Sequence, residues 1–131
     1  MTKQTNRPLS PHLQVYKPQL TSMMSIMHRA TGVALTFGLA LIAWWLIAAA
    51  TSEEAFNTAR EFTVSPLGLI MLLGWSFSLY YHLCNGIRHL IWDMGYLFKI
   101  KNAYMAGYIV WIVTFALTVL TWVFAYNGGL S

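Results

Sequence analysis

Three long stretches of the 131-residue chain, residues 30–52, 62–87 and 102–131, contain no Asp, Glu, Lys or Arg. Each is longer than the roughly 20 residues a helix needs to cross a hydrocarbon core of about 30 Å. None alternates polar and apolar positions as a barrel strand does, and only helices or closed barrels satisfy their backbone in lipid. The pattern predicts an all-α integral membrane protein, one domain over residues 1–131, with spans at about 22–50, 66–92 and 104–126. Pro66 suits the first residue of the second helix. Pro8, Pro11 and Pro18 exclude a continuous helix in residues 1–20 and predict an extended arm, too polar for lipid, lying against a soluble partner. The loop 51–65 is expected to be short and acidic. Gly32, Thr36 and Ala40 form a small-residue stripe suited to close helix contact.

Composition agrees with this division. Hydrophobic residues make up 57% of the chain and charged residues 9%, where a soluble domain carries about 25% charged residues. The charges order the topology. Lys3, Arg7, Lys17 and Arg29 precede the first span, Glu53, Glu54, Arg60 and Glu61 follow it, and Arg88, Asp93, Lys99 and Lys101 separate the second from the third. The positive-inside rule then predicts an up-down-up bundle with the N-terminus and second loop inside and the C-terminus outside. The net charge of +4 comes from scattered residues, which gives no case for nucleic acid. The first long apolar stretch begins near residue 30, so no signal peptide is expected. The single cysteine, Cys84, excludes an internal disulfide and a covalent c-type haem. It reads as a small buried residue.

His82 is the central candidate for chemistry. It lies six residues before Arg88 in an otherwise apolar helix, about 9 Å along the axis. An ionisable residue at such depth marks a functional site, and neutral imidazole is a common haem-iron ligand. A structural histidine paired with a serine or a backbone carbonyl of a neighbouring helix is the other reading. Gly86 and His89 share a helix face with His82. A glycine one turn from a ligating histidine leaves room for a flat porphyrin, and Arg88 suits an anionic propionate. Ser25, His28 and Arg29 form a second group on one helical face. Their hydroxyl, imidazole and guanidinium suit a quinone carbonyl that gains negative charge, or a propionate in the case of Arg29. They suit equally an interfacial anchor reaching lipid phosphate. Both groups are predicted at the inner edge of the membrane, where electrons from a soluble partner would arrive.

At these residues the chain resembles the large cytochrome b membrane-anchor subunit of succinate dehydrogenase (complex II). Three blocks carry the likeness: RPLSPHLQVY at 7–16, SIMHRATG at 25–32 and HLCNGIRHLIWD at 82–93. The resemblance implies that His82 is an axial ligand of haem b. It implies that Ser25 and Arg29 belong to a ubiquinone site, and that Arg29 and His28 lie near the propionates. His89 and Arg88 are further candidates there. Asp93 matches an acidic residue sometimes linked to proton delivery. The implied partners are an iron–sulfur subunit, against which residues 7–16 would lie, a flavoprotein subunit, and a second small membrane subunit. The implied location is a bacterial cytoplasmic or mitochondrial inner membrane. With no flavin or iron–sulfur motif, the chain would anchor the enzyme and not catalyse alone. A haem-free anchor and a fumarate reductase anchor are the near alternatives. A small multi-span transporter is the distant one, and the spans hold no Asp or Glu for it.

A low-spin haem between helices usually takes two histidines. His12 falls in the arm, His28 is expected to be too shallow, and His89 is about 10 Å along the helix that carries His82. The second ligand is therefore expected from the second membrane subunit, with the haem shared between the two chains.

Topology is directly testable. A reporter fused after Ser131 is expected to read as outside, and one inserted within residues 99–102 as inside. The reverse pattern overturns the charge argument.

Overall fold

A computed structural model describes residues 20–96 and 100–128. The arm expected at 1–20, with His12 and the 7–16 block, lies almost entirely outside the described residues. Four helices follow in order: α1 Leu20–Thr51, α2 Glu53–Val64, α3 Pro66–Asp93 and α4 Ile100–Gly128. Three of them are long and apolar enough to cross a membrane, over Ser22–Thr51, Pro66–Asp93 and Lys101–Gly128. Expectation and structure agree on these spans, although the third helix starts about four residues earlier than the apolar pattern indicated.

The segment 51–65 is not a loop but a helix. Ser52 caps it by accepting a hydrogen bond from the Ala55 amide (3.0 Å), and Glu53 and Glu54 sit in the first turn, at the positive end of the helix dipole. Ala59 is fully buried. Phe56 and Phe62 pack edge-on against Trp45 and Trp44 of α1, with ring centroids 5.0 and 5.6 Å apart. Acidity alone reads as a loop; the cap and the aromatic face make it an amphipathic helix at the end of the bundle. Ser65 then closes α2 and caps α3, receiving the Gly68 amide at 3.1 Å, with Pro66 in the first helical turn as expected.

At its other end α3 stops on Gly95, whose φ of 93° is in the left-handed region. The Gly95 amide donates to the Trp92 carbonyl and the Tyr96 amide to the Ile91 carbonyl, a Schellman closure that a side-chain-bearing residue would strain.

α1 and α4 both pack on α3, antiparallel to it. Met24, Tyr81 and Val110, one residue from each long helix, form the buried cluster at their junction. Tyr81 is fully buried, and its hydroxyl donates to the Met24 carbonyl at 2.9 Å. Lipid offers no water as an alternative partner, so this bond ties α3 to α1. Between α3 and α4 the indole N–H of Trp122 donates to Ser76 (2.9 Å), the Tyr80 and Thr121 hydroxyls pair, and Phe77 meets Phe115 edge-on at 5.2 Å. Cys84 is half-buried and packs against the junction.

Most large apolar side chains face outward, while Thr31, Ser78, Asn85, Arg88, Thr114 and Thr118 are buried. A bilayer-facing bundle does this because helix association in lipid rests on packing and interhelical hydrogen bonds. The small-residue stripe is only partly a contact surface. Gly32 meets α3, whereas Thr36 and Ala40 are exposed, and the buried Gly38 lies against Trp75 instead.

Gly107 allows the close approach of α4 to α1. A Cβ there would lie 2.8 Å from Met24 Sδ and 3.2 Å from Leu20 Cδ2. Gly107→Leu is expected to destabilise the bundle by about 1–3 kcal/mol through overpacking, read as a lower midpoint of thermal unfolding in detergent. An unchanged midpoint shows that α1 and α4 are not in close contact.

Candidate functional site

The described histidines converge where α1 and α3 cross. Met24, His28 and Thr31 form one stripe of α1 turned toward α3, and His82 and His89 form the facing stripe of α3. The rings of His28 and His82 stack, with centroids 3.8 Å apart and planes inclined by 11°. His89 meets His28 edge-on at 5.4 Å and Trp92 at 5.3 Å. His28 is thus not shallower than His82. α1 begins at Leu20, two turns before His28, which carries that residue to the level of His82.

The Nδ1 atom of His82 lies 3.1 Å from the His28 carbonyl oxygen and 3.2 Å from Thr31 Oγ1. A carbonyl can only accept, so the hydrogen on that contact belongs to Nδ1. The Thr31 hydroxyl donates its own hydrogen to the same carbonyl at 2.9 Å, which turns an oxygen lone pair toward Nδ1. The Nδ1–H is therefore shared between two acceptors, and the lone pair of the neutral ring resides on Nε2. Nε2 has no hydrogen-bond partner among the described residues. The structural reading of His82, a ring satisfied by a neighbouring helix, holds for one nitrogen and leaves the other free. That is the second-sphere arrangement of a metal-ligating imidazole.

Two glycines frame the rings. A Cβ on Gly32 would lie 3.1 Å from His82 Cε1, so glycine is what lets the imidazole lie against α1. At Gly86 the nearest atom to such a Cβ is His28 Cε1, at 4.0 Å. The clearing expected beside His82 at Gly86 is thus bordered by the His28 ring.

Ser25 and Arg29 lie four apart on α1 and continue through Gly32 on the same face, which brings their stripe alongside His82. Arg29 is exposed and Ser25 half-buried, while His28, one residue from Arg29, turns into the α3 interface. The triad expected on one face is divided between two.

Arg88 is not part of this cluster. Six residues turn a helix by about 240° net, which places Arg88 on the α4 side of α3. It is 3% exposed, donates to Asn85 Oδ1 (3.2 Å) and the Ala103 carbonyl (3.3 Å), and lies 4.0 Å over the Trp92 ring. These contacts join the end of α3 to the start of α4, and they place Arg88 on a different side of α3 from His82. Asp93, the last residue of α3, is exposed. A carboxylate gains nothing from the negative end of a helix dipole, so helix stability does not account for it.

Among the described residues no three His, Cys, Asp or Glu side chains gather as ligands for a bare metal ion. One imidazole with an anchored Nδ1 and a free Nε2 fits instead a group that brings its own equatorial ligands. Stacked rings cannot oppose one another across one metal, because trans ligands direct their nitrogens at each other. As they stand, stacked at 3.8 Å, His28 and His82 do not present a pair of opposed nitrogens. Thr31 and Gly32 were missed as site residues; both stand in the 25–32 block, but only the contact with α3 reveals their roles.

Fold and site together define a three-span helical membrane protein with a histidine cluster at one end of its bundle. Residues 3–121 match the family described as succinate dehydrogenase/fumarate reductase transmembrane subunit, and the chain belongs to that family. It is 46% identical over 117 residues to the succinate dehydrogenase cytochrome b556 subunit of Rickettsia prowazekii (strain Madrid E), covering 89% of this chain and 91% of the relative. The cytochrome b556 subunit of Paracoccus denitrificans is 48% identical over 116 residues, or 88% and 89% of the two chains. The mitochondrial cytochrome b560 subunit of Homo sapiens is 39% identical over 113 residues, or 84% and 66%.

The tautomer is open to measurement. In 15N spectra of the selectively labelled chain, His82 is expected to show a protonated Nδ1 and an unprotonated Nε2. The opposite pattern removes Nε2 as a ligand atom.

Proposed function

We propose that this chain is the haem-binding membrane anchor of a succinate dehydrogenase, with His82 Nε2 as one axial ligand of haem b. The observation that carries this is the His82 ring itself. Its Nδ1–H is held by the His28 carbonyl and the Thr31 hydroxyl, and its Nε2 has no hydrogen-bond partner among the described residues. The relatives' cytochrome b names support the choice of group. Haem b supplies a one-electron carrier at the edge of the membrane nearest Arg29 and Asp93. His28 and His89 line the same crossing and Arg29 is the exposed cation beside it, so these three are the candidates near the propionates.

The second ligand comes from a second small membrane subunit, because this chain offers no imidazole opposite His82 among the described residues. α1 is also the span least covered by the rest of the chain, which leaves surface for another helix. Ubiquinone binds on the same side. Ser25 and Arg29 donate hydrogen bonds to a carbonyl oxygen as negative charge develops on it, and the fixed guanidinium charge favours the reduced form. Asp93 serves proton delivery from the membrane surface. Electrons enter from the iron–sulfur subunit, which is fed by succinate oxidation on the flavoprotein subunit. The arm at residues 7–16 contacts the iron–sulfur subunit, and the first and last residues lie inside and outside respectively.

The test uses the assembled complex in membranes. His82→Ala is expected to abolish the b-type absorbance band of the dithionite-reduced complex. Ser25→Ala is expected to lower succinate:quinone reductase activity at least tenfold with haem content near normal. A full b band in His82→Ala refutes the ligand assignment. Unchanged activity in Ser25→Ala makes the α1 stripe an anchor only.

A further inference from the structure

In the block at 25–32, Thr31 touches the ligand candidate without facing the proposed group itself. Thr31 is 4% exposed, in the middle of a helix turned toward another helix. Valine would fill the same volume with the same branching and carries no hydroxyl to desolvate. The hydroxyl is satisfied by the carbonyl one turn back, the His28 oxygen at 2.9 Å. That local bond alone would make Thr31 a residue that meets its own need, as helix-interior threonines do. Two further facts set it apart. The carbonyl it chooses is the one that also receives His82 Nδ1, at 3.1 Å. Its oxygen also lies 3.2 Å from Nδ1 itself, across 51 residues of sequence.

The three contacts close a small ring: Thr31 hydroxyl to His28 carbonyl, His82 Nδ1–H to that carbonyl, and His82 Nδ1–H to Thr31 Oγ1. The hydrogen-bond directions in it are determined, because the carbonyl has no hydrogen to give. With the Thr31 hydrogen committed to the carbonyl, Oγ1 presents a lone pair to the imidazole. The ring thus admits one tautomer of His82, and it fixes the imidazole plane by two acceptors in place of one. The neighbouring Gly32, whose Cβ would lie 3.1 Å from His82 Cε1, bounds the same ring edge.

Resting on the reading of His82 as a haem ligand, we propose that Thr31 is its positioning residue: the buried Thr31 hydroxyl holds the His82 Nδ1–H, keeps the lone pair on Nε2, and sets the donor strength of the ligand. Hydrogen bonding to the far nitrogen raises the basicity of a ligating imidazole. A more basic ligand favours the ferric over the ferrous state, so Thr31 lowers the midpoint potential of the haem. It also fixes the orientation of the imidazole plane, which the low-spin electron paramagnetic resonance spectrum reads.

The experiment compares Thr31→Val, Thr31→Ala and Thr31→Ser in the assembled complex, by redox titration of the b band and by electron paramagnetic resonance of the oxidised haem. Thr31→Val is expected to retain haem with a raised midpoint potential and shifted g-values, and Thr31→Ser to match the wild type in both. If Thr31→Val fails to assemble, the Ala and Ser variants carry the comparison, since they differ only by the hydroxyl. A raised potential in Ala relative to Ser supports the proposal. Equal potentials and g-values in Ala and Ser, or a lowered potential in Ala, overturn it. His82→Ala, measured alongside, separates the two levels. A b band that survives in it refutes the ligand reading itself, whereas its loss combined with equal Ala and Ser variants refutes only the role of Thr31.

Discussion

The contact between His82 and the α1 backbone at His28 carries more of this molecule than its size suggests. It joins the two helices that bear every described histidine. It places the imidazole at the level where α1 and α3 cross, and it decides which nitrogen is free. In lipid there is no water to satisfy a misplaced N–H, so an interhelical bond of this kind acts as a registration mark as well as an attraction. The Tyr81 hydroxyl on the Met24 carbonyl, one turn away along α1, marks the same register. With both bonds in place, sliding α3 along α1 by a residue would strand two buried donors at once, at about 1–3 kcal/mol each.

The remaining packing follows from that register. Gly32 is needed because the ring lies against α1, and Gly107 because α4 closes on Met24 and Leu20 at the same crossing. Arg88 holds the other side of α3 to the start of α4 through the Ala103 carbonyl, and the stack on Trp92 shields its charge from lipid. The two sides of α3 therefore do different work. One presents His82 and His89 to α1; the other presents Tyr81, Asn85 and Arg88 to the α1–α4 seam. Alternating commitments along one helix explain why an apolar span tolerates so many polar residues in twelve positions.

This arrangement also bears on what the site can hold. A bare metal ion would need several ligands converging on a point, and the histidines instead stack and meet edge to face. A single directed nitrogen suits instead a group that brings its own remaining ligands. The proposed quinone residues, Ser25 and Arg29, sit on the exposed flank of the same crossing.

The spans were legible in the chain because membrane crossing is a matter of length and charge, which are local. His82, Ser25 and Arg29 could be singled out for the same reason: a polar residue in an apolar run is conspicuous. Helix α2 was not legible as a helix, because acidic residues look alike in a loop and in a capped helix until Phe56 and Phe62 are seen against the tryptophans of α1. Arg88 was conspicuous, but its contacts with Asn85, Ala103 and Trp92 were not legible, since sequence spacing gives the angle around α3 and not which neighbour occupies that angle. Thr31 and Gly32 were inconspicuous because threonine and glycine are ordinary in a membrane helix. The sequence by itself determined the number of crossings and which residues could do chemistry, through hydropathy and side-chain type. Only the tertiary structure decided which of them meet and which nitrogen of His82 is free, because those depend on the contact of α1 with α3, between residues more than fifty positions apart.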